Sequence, residues 1–106
     1  MMPQPFEVWL VKMKLGRSRD PRPAIVIRKS GTSTFVVLPL SSALNLRSYR
    51  DFTIRPDDLD FKNTGLDRES FAIENKEVEL DLSEFVAKLG QLNGFTLTEF
   101  RDWYGL

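Results

Sequence analysis

The sequence predicts a mainly β domain, a small closed or half-closed barrel with one C-terminal α-helix. Three observations carry this. Short runs rich in β-branched and aromatic residues recur along the chain, each is bounded by proline, glycine or polar turn residues, and a helix-start signature appears only near the end. At 106 residues the chain can bury one modest core and not two, so a single domain over 1–106 is expected.

Phe6 to Lys14 reads as the first strand, and Gly16 to Pro21 as a polar, basic loop ended by proline. Pro23 to Lys29 is the second strand, Ser30 to Ser33 a turn, and Thr34 to Leu40 the third strand. Pro39 inside that run is expected at an edge or a bulge, because proline brings no N–H to a ladder. Asp51 to Arg55 alternates as a fourth strand and Ser70 to Glu74 reads as a fifth, with turn chemistry at Pro56–Asp58 and Lys62–Gly65. Residues 78–92 read two ways. Val78, Leu80 and Leu82 alternate like a strand, whereas Leu82, Phe85, Val86 and Leu89 fit a helical stripe. Thr96-Leu97-Thr98-Glu99 has the form of a capping box, with Thr96 as N-cap and Phe95 stapled to Phe100. It predicts a helix from Leu97 to Tyr104.

Composition excludes several chemistries. There is no cysteine, hence no disulfide framework and no thiolate nucleophile, and no histidine, hence neither the commonest general base nor the commonest metal ligand. No run has the length of a membrane span and the N-terminus lacks a signal-peptide apolar stretch, so a cytoplasmic protein without a membrane partner is expected. Residues 1–50 carry nine basic groups against two acidic ones, and residues 51–106 carry six against thirteen, giving +7 and −7. Such a split makes a basic face suited to nucleic acid if the halves stay apart, and cancels if they interleave.

The densest chemistry lies at residues 20–42. Arg22 stands between Pro21 and Pro23, which stiffen the backbone and hold it extended, so its guanidinium projects from a rigid base and holds an anion at lower entropy cost. Ser41 and Ser42 close the third strand. If the second and third strands are antiparallel neighbours, Arg22 and Ser41 face each other at one rim of the sheet, and a fixed guanidinium beside a hydroxyl receives a phosphate. Read alone, Arg22 could simply separate a loop from a strand, and the serines could cap a turn. Lys14, Arg17 and Arg19 could clamp a polyanion from the first loop, or be an ordinary solvated hairpin. Trp9, Phe35, Tyr49 and Phe52 could stack on bases, although most are needed as core. Asp57, Asp58 and Asp60 lack the glycine and terminal glutamate of a calcium loop and read as a solvated turn, so no metal is assigned. The charges of Glu74 to Glu79 read as the wet face of a strand.

In order and spacing these segments resemble the MazF/PemK family of ribosome-independent endoribonuclease toxins over about ninety residues. Glu7-Val8-Trp9-Leu10-Val11 resembles the family's first strand, Arg22-Pro23-Ala24-Ile25-Val26-Ile27 its Arg-Pro-apolar second strand, and Phe35 to Ser41 its third. Gly65-Leu66 with Ser70-Phe71-Ala72-Ile73 is similar to the Gly-Leu … Ser-Val-Val segment, and Leu89-Gly90-Gln91-Leu92 to the Ile-Gly-x-Leu before the last helix. The resemblance implies an SH3-like β-barrel (CcdB/MazF-like), a homodimer, a cognate antitoxin, and cleavage of single-stranded RNA without metal or other cofactor. It assigns Arg22 to the scissile phosphate and Ser41 to its hydroxyl partner; Ser42, from its place at the strand end, is a candidate RNA contact. Asp20 and Glu74 are the candidate general bases. Where some family members carry arginine and aspartate, this chain has Ile73 and Asn75, and its first loop lacks the family's usual pattern. A non-catalytic barrel that binds RNA or an antitoxin-like protein without cleaving is the alternative expectation.

Overall fold

The first three strands are apolar on both faces, which places them at the centre of a sheet covered on each side. In the computed structural model, which describes residues 2–13 and 20–106, they are β1 (Glu7–Val11), β2 (Arg22–Lys29) and β3 (Thr34–Ser41). Val8, Ile25, Ile27, Leu38 and Leu40 face one core cluster, and Trp9, Val11, Ala24, Val26, Phe35 and Val37 face the other. Four further strands complete an antiparallel, seven-stranded sheet: β4 (Phe52–Ile54), β5 (Ser70–Ala72), β6 (Val78–Asp81) and β7 (Phe85–Gln91). The order is β4-β5-β3-β2-β1-β7, with β6 also on β3. The mainly β expectation and the C-terminal helix hold. Among the described residues no ladder joins β4 to β7, so hydrogen bonds do not close the barrel. Residues 78–92 follow the strand reading; a single turn of 3₁₀-helix (Leu82–Glu84) separates β6 from β7.

Pro39 is neither at an edge nor in a bulge. It pairs with Ala24 of β2 on one side of the central strand β3. On the other side β3 changes partner: residues 34–37 pair with β6, and Leu40 and Ser41 pair with β5. Proline falls in the gap between the two ladders, where a missing N–H costs nothing. The bulge is in β2 instead, where Val26 pairs with Val37 and Arg28 with Val36, leaving Ile27 as the extra residue.

The helix α1 (Gly94–Tyr104) starts earlier than the capping box predicts, and by a different device. Thr96 is buried within the first turn and caps nothing. The Asp60 carboxylate accepts from the N–H groups of Phe95 (2.9 Å) and Thr96 (3.4 Å), reaching the helix from 35 residues away in sequence. Two glycines make room. A Cβ on Gly90 of β7 would lie 2.2 Å from the Asn63 carbonyl, so the 3₁₀ turn Phe61–Thr64 lies directly on that strand. Gly94, at φ +56°, would otherwise place a Cβ 2.7 Å from the Asp60 carboxylate. The expected staple does not form, because Phe95 is 68% exposed. Phe100 is fully buried, with Phe6, Phe52, Trp103 and Tyr104 around it at centroid distances of 6.2, 5.3, 5.8 and 5.7 Å. Among the described residues no helix is long and apolar enough to cross a membrane.

The basic and acidic halves of the chain interleave. β1 pairs with β7, and β3 with β5 and β6. Arg47 ion-pairs with Glu69 at 3.2 Å, and Lys88 with Glu7 at 2.8 Å. The sequence asymmetry therefore does not map onto two opposed faces among the described residues.

Candidate functional site

The site is a consequence of the partner change on β3. From Ala72 at the end of β5 to Val78 at the start of β6, the chain has to cross the gap opposite Leu38 and Pro39. Residues 73–77 make the crossing as a turn in which Asn75 adopts a left-handed backbone, φ +62°. Asparagine tolerates that region better than other side chains, because its short amide bonds locally. The wedge left between β5 and β6 is a cavity of about 420 Å³. Pro39, Leu40 and Val78 give it apolar walls; Arg22, Ser41, Asn75, Lys76 and Glu77 bring the polar groups, with Ile73 beside them.

Arg22 and Ser41 come together as the strand order implies. Two residues outward from the Ala24–Pro39 pair, the register sets them opposite each other, and both line the cavity. Arg22 is half-buried, and its Nε is buried without a hydrogen-bond partner among the described residues. A buried donor left unmade costs about 1–3 kcal/mol, more when charged, and an anion seated beside it recovers that cost. The Ser41 hydroxyl oxygen accepts from the Ala43 N–H at 3.1 Å, which fixes the side chain while its own O–H stays available to donate. Together they form a guanidinium and a hydroxyl at one polar corner of an otherwise apolar wedge.

The other expected site residues are distributed around it. Asp20 and Ser42 line an adjoining hollow of about 270 Å³ that also includes Arg22, together with Asp67 and Arg68. Glu74 does not line the Arg22 cavity. It belongs to a third hollow of about 250 Å³, with Asn75, Glu77, Trp103 and Tyr104. Ile73 and Asn75, singled out in the sequence as departures from a charged pair, do line the cavity. Lys14, Arg17 and Arg19 lie outside the described residues. Of the four aromatic residues considered for stacking, Trp9, Phe35 and Phe52 are core, and Tyr49 alone is exposed. Asp57, Asp58 and Asp60 do not converge: Asp58 accepts from the Arg55 N–H, Asp60 caps the helix, and no acidic cluster among the described residues could hold a metal ion.

Lys76 and Glu77 are the site residues that sequence reasoning passes over. An alternating charged run reads as a strand, yet β6 begins only at Val78, so both residues belong to the turn. The Glu-Asn-Lys sequence at 74–76 is the available signal, since asparagine marks a reversal. Glu77 touches two hollows at once. Burial pushes the Tyr104 phenol above its ordinary value of 10.0, the Glu77 charge adds to the rise, and Arg28 opposes it. Glu7, by contrast, is structural. Burial works against its ionisation, but donation from Lys88, Trp9 and the Gln4 N–H outweighs this and holds its carboxyl below the usual range.

No model of a known protein family matches the chain, and no curated protein is similar to it in sequence.

Proposed function

We propose that the protein is an endoribonuclease toxin of a type II toxin–antitoxin pair, acting on single-stranded RNA in the cytoplasm as a homodimer and held in check by a cognate antitoxin, as the MazF/PemK resemblance implies. The observation that supports this most directly is Arg22, whose buried Nε has no partner among the described residues, sharing one cavity with the Ser41 hydroxyl. In the reaction, the 2′-oxygen of a ribose attacks the adjacent phosphorus and the 5′-oxygen leaves. Arg22 stabilises the charge that builds on the phosphorane, and Ser41 donates to a phosphoryl oxygen. Neither role needs a metal.

Incubating the purified protein with a long single-stranded RNA in EDTA tests the proposal. Discrete fragments ending in a 2′,3′-cyclic phosphate are expected, and Arg22→Ala should slow their appearance ~10²–10³-fold, the usual cost of one oxyanion donor. Arg22 is half-buried and belongs to neither core cluster, so the thermal midpoint of the variant should barely move. A second reading is favoured by Ile73 and Asn75, which leave the cavity without the charged pair that some family members carry there. A non-catalytic barrel would retard RNA, or an antitoxin-like protein, and yield no fragments.

A further inference from the structure

Cleavage by a 2′-hydroxyl needs a group that removes its proton. We propose that this group is Glu77, an assignment that rests on the ribonuclease reading of the site. Of the carboxylates that line a hollow with Arg22 (Asp20, Asp67 and Glu77), Glu77 alone shares the cavity with both Arg22 and Ser41. Asp20 lines the adjoining hollow with Arg22, and Glu74, on the same turn as Glu77, lines the hollow that includes Trp103 and Tyr104. Asn75, with its left-handed backbone, lies between Glu74 and Glu77 in the turn; both line the third hollow, and Glu77 alone reaches the Arg22 cavity as well. Backbone held in such a region at a cavity rim is where functional side chains are commonly re-aimed.

The surroundings of Glu77 suit a proton acceptor. Its carboxylate makes neither an ion pair nor a hydrogen bond among the described residues, so both oxygens are free to accept. Arg22 and Lys76 supply positive charge in the same cavity, which favours a bound phosphate despite the nearby carboxylate. In the step, the 2′-O–H bond breaks and its proton passes to a Glu77 oxygen, while the 2′-oxygen forms a bond to phosphorus. The P–O5′ bond then breaks, its electron pair leaving on the 5′-oxygen, which takes a proton from solvent water. The hydroxide that remains is neutralised by the proton on Glu77. The products are a 2′,3′-cyclic phosphate and a free 5′-hydroxyl, and the carboxylate is regenerated.

Single-turnover cleavage of an end-labelled single-stranded RNA by wild type, Glu77→Gln, Glu74→Gln and Asp20→Asn is the test. Affinity is read in parallel with the 2′-O-methyl form of the same RNA, which cannot react. Glu77→Gln should lose ~10²–10⁴ in rate, the range for a general base, while binding 2′-O-methyl RNA as wild type does. Glu77 is exposed, so the variant should fold normally by circular dichroism. A substrate with sulfur replacing the 5′-oxygen needs no leaving-group proton, and Glu77→Gln should stay slow on it. Glu74→Gln should cleave at the wild-type rate. Wild-type cleavage by Glu77→Gln, or a comparable loss carried by Asp20→Asn instead, would overturn the assignment and leave the ribonuclease reading standing. A wild-type protein that binds RNA without cutting it would overturn the reading, and the assignment with it.

Discussion

Replacing Asp60 with alanine should unfasten the start of the C-terminal helix. Its carboxylate serves two main-chain donors, at 2.9 and 3.4 Å. The Phe95 N–H can turn to water, since that residue is largely exposed, whereas the Thr96 N–H belongs to a buried residue and cannot do so cheaply. Loss of a cap costs about 1 kcal/mol, and loss of a negative charge at a helix N-terminus about 0.3–1 kcal/mol more. The sum, about 1–2 kcal/mol, corresponds to a fall of roughly 5–10 °C in thermal midpoint for a domain of this size. Asp60→Asn keeps an acceptor oxygen and gives up the charge, so it should recover about half of the loss. The difference between wild type and Asp60→Asn should shrink in concentrated salt, because only the charge is screened. Thermal melts followed by far-UV circular dichroism measure all three proteins. An Asp60→Ala midpoint equal to wild type, or an asparagine variant as unstable as the alanine one, would refute the capping account.

Two further outcomes concern titration. The Glu7 carboxyl is held below its ordinary value of 4.5 in the folded protein, so its contribution to stability is full above that value and fades as pH falls through the lower folded value. Glu7→Gln should therefore be less stable than wild type at neutral pH, with the gap in midpoint closing on acidification; a gap independent of pH would contradict this. The Tyr104 phenol sits above 10.0, because of burial first and the Glu77 charge second. In a Tyr49→Phe background, which leaves one tyrosine, ultraviolet titration should show ionisation delayed, and Glu77→Gln should bring it forward. With a raised folded value, the stability that Tyr104 contributes is lost as pH rises through that value, so Glu77→Gln should also soften the alkaline decline.

How much could be read in the chain depends on how local each signal is. The strands were legible because their β-branched and aromatic runs are dense enough to outweigh other preferences, as in Pro23 to Lys29. The nearness of Arg22 and Ser41 followed from strand order alone. The helix start is not legible locally, because Thr96-Leu97-Thr98-Glu99 satisfies a local rule while the observed cap comes from Asp60 through a turn laid on β7. For a related reason it is not legible that Glu77 rather than Glu74 lines the cavity with Arg22. The turn at 73–77 ends where β6 begins, and that is fixed by pairing with β3 rather than by the local sequence.

The imino acid in the central strand has a consequence beyond the ladder it interrupts. A recess floored by main chain at a break between pairings inherits its dimensions from the sheet, whereas one fenced by long surface loops does not. Side chains on the crossing at 73–77 lie outside both β3 ladders, so exchanging them, apart from the left-handed Asn75, should leave the β3 registers on either side in place. Such an arrangement lets recognition drift from one ligand to another while the scaffold stays unchanged.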